Sequence, residues 1–425
     1  MKNKGFTLVE LLAVIAILAI LITLVLPNVI KIFNDSKRDM FLSEAKNIYK
    51  EANRKFVNES VKGNVVSNIT KENNKLSLSS DNDIDYKIKL DEDGHIIKFQ
   101  VSNSSYCISG KYNDVNDITI DDVHDGECNV KYCKTTSSST EFTDEFYTYK
   151  YKKKYANNTW QDQLEDGWGV ILTNKNSKDA VTDIPCTYID NKPVMFMSNM
   201  FMGSQAVSID LTNINTSNVV DMEKMFYKTL NTKNSDGTNV ILDVTDFDTI
   251  NVTNMNGMFN ECGGEIKGLD SFDTRNVRDM SNMFNRCNST VIDVSKFNTR
   301  NVHGIGGMFS LTNTDILDLS SFDTRNVTGM SVLFSHSKAK TILFGENFKT
   351  DKVNNMTSMF EGSEAAILDL SNFDLSSIKD DVYLKGMFKD AKATTGYVKN
   401  SDIASKFNDS TVTGIPDTLR FTVKN

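Results

Sequence analysis

The chain has 425 residues, a formal net charge of −9 and 39% hydrophobic residues. This length has room for two or three domains, and the hydrophobic content allows packed cores, which excludes an intrinsically disordered chain. The acidic balance gives no basic footprint for nucleic acid, and the four histidines are scattered without a metal-binding spacing.

The first 26 residues combine a basic leader with a long apolar run. Lys2 and Lys4 precede the run, and between 11 and 26 only Thr23 is polar. A secretory signal has the same layout, but no small-x-small cleavage site follows the run. Glu10 also stands inside the segment that has to enter the membrane. An ionisable group in hydrocarbon costs roughly 2.5–3.5 kcal/mol, so this carboxylate needs a partner.

A cut between Gly5 and Phe6 would supply that partner. It frees an α-amino group four residues before Glu10, which could neutralise Glu10 of a neighbouring copy when helices pack side by side. The stretch Gly-Phe-Thr-Leu-Val-Glu and its apolar helix resemble the processing signature of type IV prepilins and pseudopilins. The resemblance implies that prepilin peptidase cuts after Gly5, that Phe6 is N-methylated and that Glu10 guides filament assembly. Pro27 stands where that family usually has a helix-loosening proline. An uncleaved signal anchor is the alternative.

The lysines also predict orientation, because no matching basic cluster directly follows the apolar run. The positive-inside rule places the amino terminus in the cytoplasm and the remainder outside.

Past Pro27, apolar residues recur at helical spacing as far as Phe56. The pattern predicts one helix over 6–56, about 75 Å long, with an apolar first half for a membrane or filament core and an amphipathic second half for a globular head.

Alternation predicts a small antiparallel β head over 57–133. The segments 76–78, 86–90 and 96–101 alternate as strands, and Asp93-Gly94 forms a hairpin turn between the last two. This sheet is expected to pack on the amphipathic half of the helix.

Six cysteines in a chain with an export signal can form disulfides. Cys107 and Cys128 bracket the end of the head and could close a loop, which would leave Cys133 for Cys186. Free thiols remain the alternative.

The chain becomes periodic at about residue 194, after a predicted linker and amino-terminal cap over 134–193. Met-Phe pairs recur with a fundamental spacing of 25 residues, as at 283/284 and 308/309. Each unit predicts a short Leu-Asp-Leu strand and then a helix with Val, Met, Met and Phe on one face and Thr or Asn as its cap. A single unit cannot bury its apolar face, so the units must stack into a solenoid over 194–390.

The blocks Leu-Asp-Leu-Ser, Phe-Asp-Thr-x-Asn-Val and Met-x-x-Met-Phe resemble the BspA-like, leucine-rich-repeat repeats of surface proteins. The sequence departs from the BspA-like pattern at an insertion near 231–238 and in the last unit. Residues 391–425 are expected to cap the open end of the solenoid. The predicted fold class is therefore α+β: a long pilin helix, a small antiparallel β head and a strand-plus-helix, leucine-rich-repeat-like solenoid.

Stacking places equivalent residues side by side in columns. Aspartate columns are interpreted as solvated groups or acceptors of turn amides rather than as calcium or acid–base sites, because a column repeated in every unit is a structural device. Arg275, Arg300 and Arg325 repeat at an exposed position where they could grip acidic glycans or carboxylates, with a solvated face as the alternative. Cys262 and Cys287, in adjacent units, are interpreted as buried small hydrophobes rather than as a bridge.

These patterns predict a minor type IV pilin-like surface subunit that assembles through its helix and displays the solenoid for adhesion or ligand binding. The alternative is a membrane-anchored adhesin that never polymerises. An enzyme is disfavoured because no catalytic constellation is visible, and no cofactor or metal is predicted. The expected partners are prepilin peptidase, other pilin subunits, the membrane and an unknown surface or host ligand. The chain is expected in the cytoplasmic membrane before assembly and at the cell surface or in a pilus afterwards.

Overall fold

The structure is a computed structural model, and it describes residues 8–64, 66, 68–71, 74–78, 84–91, 93–110, 112–126, 131–135, 139–152, 166–212, 214–234 and 237–424. It describes the backbone without the side chains at 8–32, 97, 98, 110, 124, 125 and 132. The chain divides into two compact units, 1–130 and 131–425, and each is described by itself.

The first unit combines a helix with a five-stranded antiparallel sheet. Helix α1 spans Leu8–Val61. The strands pair in chain order, and they are β1 Asn68–Thr70, β2 Asp85–Leu90, β3 Ile96–Ser102, β4 Tyr106–Gly110 and β5 His124–Asp125. Among the helical segments whose side chains are described, none is both long enough and apolar enough to cross a membrane.

The core of the first unit lies between this sheet and the second half of α1. Phe41, Ala45, Ile48 and Ala52 recur at three- or four-residue spacing and are 1% exposed or less. They meet the inward side chains of the strands, of which Phe99 lies edge-on to Tyr49 on the helix at 5.4 Å between ring centroids. The apolar residues recur at helical spacing in α1 and alternate along the strands of the sheet, so the helix and the sheet together bury one apolar layer.

The second unit begins with a mixed six-stranded sheet in the order β6-β10-β11-β9-β8-β7. Its strands are β6 Tyr132–Cys133, β7 Glu141–Thr143, β8 Tyr147–Lys152, β9 Gly167–Leu172, β10 Tyr188–Ile189 and β11 Lys192–Phe196. A disulfide joins Cys133 to Cys186, which confirms the pairing expected for these two cysteines. Strand β11 leads directly into the repeats.

The repeats form a β-solenoid of about ten turns. Short parallel strands stack along one side, and they are β12 Ile241–Asp243, β13 Glu265–Lys267, β14 Ile316–Leu319, β15 Thr341–Phe344, β16 Ile367–Leu370, β17 Thr395–Val398 and β18 Phe421–Val423. A second ladder of single parallel bridges links the coils at Asp221, Asn254, Asp279, Gly304, Gly329 and Asn355. Helices α2 Ser401–Phe407 and α3 Ser410–Thr413 close the carboxyl end together with β18.

The predicted fold class, α+β with a strand-plus-helix solenoid, is wrong. The chain is mostly β, with three α-helices in the part that the structure describes. The Met-Phe segments, predicted as helices, are runs of turns. In the coil that contains Met225-Phe226, the Met222 N–H donates to Asn254 O in the next coil, and the Phe226 N–H donates to Met258 O. Backbone groups that a helix would pair internally therefore bind the neighbouring coil instead.

Left-handed residues explain why no helix forms. Each of eight coils has two residues, four positions apart, with φ between 51° and 73°. A right-handed helix cannot continue through such residues. The pairs are 199/203, 224/228, 257/261, 282/286, 307/311, 332/336, 358/362 and 386/390.

Two buried columns hold the coils together. Eight phenylalanine rings, one per coil, stack with centroids 5.3–5.9 Å apart, at 201, 226, 259, 284, 309, 334, 360 and 388. Six threonines, each 2% exposed or less, form the second column at 216, 249, 274, 299, 324 and 350. Each threonine hydroxyl accepts an N–H and donates to the carbonyl of the same residue in the next coil. These threonines, predicted as helix caps, are links between coils.

Candidate ligand-binding face

The predicted arginine column lies on the outer surface directly after the buried threonine column. Thr274 points inward and Arg275 outward, and the same alternation occurs one and two coils further on. Asn276, Asn301 and Asn326 follow the arginines and donate their side-chain amides to carbonyls of the preceding coil. Threonine on one side and asparagine on the other therefore fix the backbone that carries each arginine.

Two of the three arginines are neutralised within their own coil. Arg275 Nη2 lies 2.7 Å from Asp273 Oδ2, and its Nε donates to Asp273 Oδ1 at 2.9 Å. Arg325 binds Asp323 with the same two distances. This fork geometry is the strongest form of a carboxylate ion pair. The hydrogen bond to Asp323 raises the pKa of Arg325. Burial alone would raise the pKa of Asp323, but the hydrogen bond from Arg325 opposes this, and the pKa of Asp323 lies below its usual value.

Arg300 differs from its two neighbours. Asn298 occupies the aspartate position of its coil and accepts the Arg300 N–H at 3.2 Å. In the described part of the chain, no carboxylate lies within ion-pair distance of Arg300 or of Lys296 in the same coil. The structure therefore brings the three arginines onto one face. Among the described residues, Arg300 alone of the three forms no close ion pair there, and Asp323 of the next coil attracts it only at longer range.

A surface cavity of about 480 Å³ adjoins this coil. Asp273 and Arg275 line it from one coil, Lys296 and Asn298 from the next, and Ser271, Thr274 and the edge of Phe272 complete it. Its charged and amide groups can bind polar ligands, and since Asp273 is already paired, Lys296 gives it a net positive charge.

The aspartate columns bind turn amides, as the sequence predicted. Each side chain accepts the N–H of the residue two positions later. This holds for Asp210, Asp243, Asp293, Asp318 and Asp369 in the first column and for Asp248, Asp273, Asp323 and Asp374 in the second. Asp270, predicted as part of the first column, is out of register, because Asp243 pairs with Lys267.

One cluster of metal-ligating residue types was not predicted from the sequence. In the part of the chain that the structure describes, ligand atoms of Asp91, Asp93 and His95 lie within 4.8 Å of one another in the β2–β3 turn. The Asp-x-Asp-x-His spacing was its signal. Asp91 Oδ1 already accepts the N–H groups of Asp93 and His95, so the turn itself accounts for the arrangement.

Other predicted site residues lie outside what the structure describes. Gly5, Phe6 and Cys128 are not among the described residues, and for Glu10 and Pro27 only the backbone, within α1, is described. Cys107 takes part in a disulfide. Its predicted pairing with Cys128 and the roles of the processing and assembly residues stay predictions. Cys262 and Cys287 are buried free thiols, as the sequence predicted.

Comparison with known families gives two matches. The family described as "Mycoplasma protein of unknown function, DUF285" matches 187–239, 231–344 and 311–417, which together cover more than half of the chain. The "Prokaryotic N-terminal methylation motif" matches 1–26. No curated protein and no solved structure matches. The first match is to a repeat family and does not name the BspA-like type, so that resemblance stays a prediction.

Proposed function

The chain belongs to the DUF285 family and begins with a prokaryotic N-terminal methylation motif, and from these two facts we propose that it is a minor type IV pilin-like surface subunit. It would assemble through α1 and display the solenoid for adhesion or ligand binding. The observation that carries the proposal is the methylation motif over 1–26, which includes both the apolar run and Glu10.

The physical basis is charge pairing in apolar surroundings. Cleavage after Gly5 would leave the new amino terminus on Phe6, four residues before Glu10 in the sequence. In a bundle of such helices, the amine of one copy would neutralise the carboxylate of the next. Prepilin peptidase and other pilin subunits are therefore the proposed partners, and the cytoplasmic membrane is the proposed location before assembly.

The size of the second unit favours a sparse or terminal position. It spans 131–425, more than twice the length of the first unit, and would crowd a regular helical filament. The same feature suits the second candidate, an anchored surface adhesin that does not polymerise. Both candidates expose the arginine face of the solenoid to external ligands.

Mass spectrometry of the mature amino terminus tests the proposal. We expect a chain that begins with N-methylated Phe6, and a Gly5→Val variant that retains its leader. A native chain that still begins at Met1 would refute pilin-type processing and favour the anchored adhesin.

Assembly is tested separately. We expect Glu10→Ala to insert into the membrane but to be absent from sheared filaments, because its carboxylate no longer attracts the neighbouring amine. Labelled antibody against 194–390 then locates the solenoid on cells that carry native or Gly5→Val chain. Normal incorporation of Glu10→Ala would contradict the charge-pairing basis.

A further inference from the structure

We infer that the coil over 293–300 provides the cationic groups of a single binding site for an acidic saccharide, with Lys296 at the cavity and Arg300 beyond its rim. The inference rests on the proposed function in one respect, because surface display is what brings the solenoid to such a ligand. It goes beyond a general arginine face, since it assigns the binding of the anion to Lys296 and Arg300 and not to Arg275 or Arg325 of the flanking coils.

Charge distinguishes this coil from its neighbours. Residues 293–300 include one acidic and two basic side chains, whereas 268–275 and 318–325 each include two acidic and one basic side chain. Two substitutions at equivalent positions make the difference. Asn298 replaces the aspartate of the flanking coils, and Lys296 replaces their serine.

Ion pairing determines which arginine is available. Arg275 and Arg325 would have to leave a two-bond ion pair with Asp273 or Asp323 before they could bind an external anion. Arg300 has no such bond to break in the described part of the chain. Asp323 attracts Arg300 only at longer range, so the Arg300 guanidinium can bind a sulfate or carboxylate without breaking an ion pair. A planar guanidinium binds either group with two parallel hydrogen bonds.

The surroundings favour a saccharide over a peptide. A peptide in extended form needs free backbone groups to pair with. Here Thr274 uses the N–H and carbonyl of Asn298, and Asn301 uses the carbonyl of Arg275. What the face offers instead is side-chain amides, hydroxyls and charges around the 480 Å³ cavity, which suits a sugar ring with many hydroxyls. Arg300 is not among the lining residues, so it would hold an anionic substituent beyond the rim.

Calorimetric titration of the full-length chain in mild detergent, with a sulfated tetrasaccharide at about 50 mM salt, tests the inference. We expect one site per chain, weakened at least about tenfold by Asn298→Asp, because this change gives Arg300 the counter-ion that its neighbours have. Arg300→Gln should weaken binding similarly. The double variant Asp323→Asn/Arg325→Gln is the matched control and should change the affinity less than about twofold, since it removes the neighbouring ion pair without leaving Asp323 free to attract Arg300.

A gain-of-function variant sharpens the test. Asp323→Asn removes the partner of Arg325 and should raise the affinity or add a second site. Unchanged affinity in Asn298→Asp, or an equal loss in the Asp323→Asn/Arg325→Gln double variant, would overturn the assignment. Asn298→Asp and Arg300→Gln should keep the native melting temperature because those side chains are exposed. The variants at Asp323, whose side chain is 17% exposed, are titrated below their own melting temperatures. Equal binding of the desulfated tetrasaccharide would overturn the anionic requirement, and tighter binding of an acidic peptide would overturn the saccharide.

The outcome is separable from the proposed function. A chain that is processed at Gly5 and displayed, yet does not bind the sulfated tetrasaccharide, overturns only this inference. A chain that binds it through Arg300 but retains Met1 overturns only the pilin-like function.

Discussion

Replacing Thr274 by valine should destabilise the solenoid, although valine has almost the same shape. The Thr274 hydroxyl accepts the N–H of Asn298 at 2.7 Å and donates to the carbonyl of Asn298 at 3.1 Å. The side chain is 1% exposed, so water cannot replace either bond without entering the core. Valine fills the space but leaves both backbone groups of Asn298 facing a methyl group.

The expected loss follows from those two bonds. A typical hydrogen bond contributes about 0.5–1.5 kcal/mol net, and a buried group left without a partner costs about 1–3 kcal/mol. We therefore expect Thr274→Val to lower the free energy of unfolding by about 2–3 kcal/mol. Thr274→Ser keeps the hydroxyl and loses one methyl group, so it should cost about 1 kcal/mol.

Urea unfolding followed by circular dichroism measures the total loss, and hydrogen exchange shows whether it is local. Since each coil contacts only its neighbours, faster exchange should concentrate in the coils around 274 and 299. Thr341→Val is the matched control, because Thr341 points outward from β15 and is exposed. If the two valine variants unfold within about 0.5 kcal/mol of each other, the threonine column does not hold the coils together.

Three further changes test other features. Val332 is a β-branched residue at φ 51°, so Val332→Gly should stabilise the chain by roughly 1 kcal/mol, measured as a higher melting temperature; a lower one would contradict the strain. The hydrogen bond from Lys399 lowers the pKa of Asp374 from 3.8 to about 2, so its contribution is present above about pH 4 and is lost as pH falls towards 2. Asp374→Asn should accordingly be less stable than the native chain at pH 7 and equal to it at pH 2, and a gap that is the same at both values would contradict the pairing. Cys133→Ser opens a disulfide that spans 53 residues and should cost up to about 4 kcal/mol by chain entropy in urea unfolding, whereas an unchanged midpoint would contradict this.

The sequence predicted where the repeats lie and which side chains they bury, but not the shape of each coil. Val, Met and Phe at i, i+3, i+6 and i+7 fit one face of a helix, and all of these residues are buried, as at Val277, Met280 and Met283. The same spacing fits a run of turns in which every fourth residue is left-handed. Glycine or asparagine at 257, 282 and 307 indicated left-handed residues at this position of the repeat. Lys224 and Val332, which rarely adopt that conformation, occupy the equivalent positions of other coils and obscured the pattern.

The sequence predicted the positions of the three arginines of the candidate site, but it did not predict which of them are neutralised by a carboxylate. Equal spacing placed Arg275, Arg300 and Arg325 in one column, because stacking preserves register. Whether each guanidinium is neutralised depends on side-chain rotamers that no spacing specifies. Asn298 interrupts an aspartate column in the sequence, but its effect on Arg300 depends on the two-bond ion pairs that aspartates form with Arg275 and Arg325 in the neighbouring coils.

The column of eight stacked phenylalanine rings has a consequence for how the gene can change. Along the column each ring stacks on the equivalent rings of the adjacent coils, and the two ends are closed by different structures, the six-stranded sheet and the α2–α3 cap. Recombination that duplicates or deletes a whole 25-residue unit would therefore lengthen or shorten the stack by one coil, about 4.8 Å, without altering the structures that close its two ends. Such a change would alter the length of the solenoid by whole coils while the register of the stacked rings is kept.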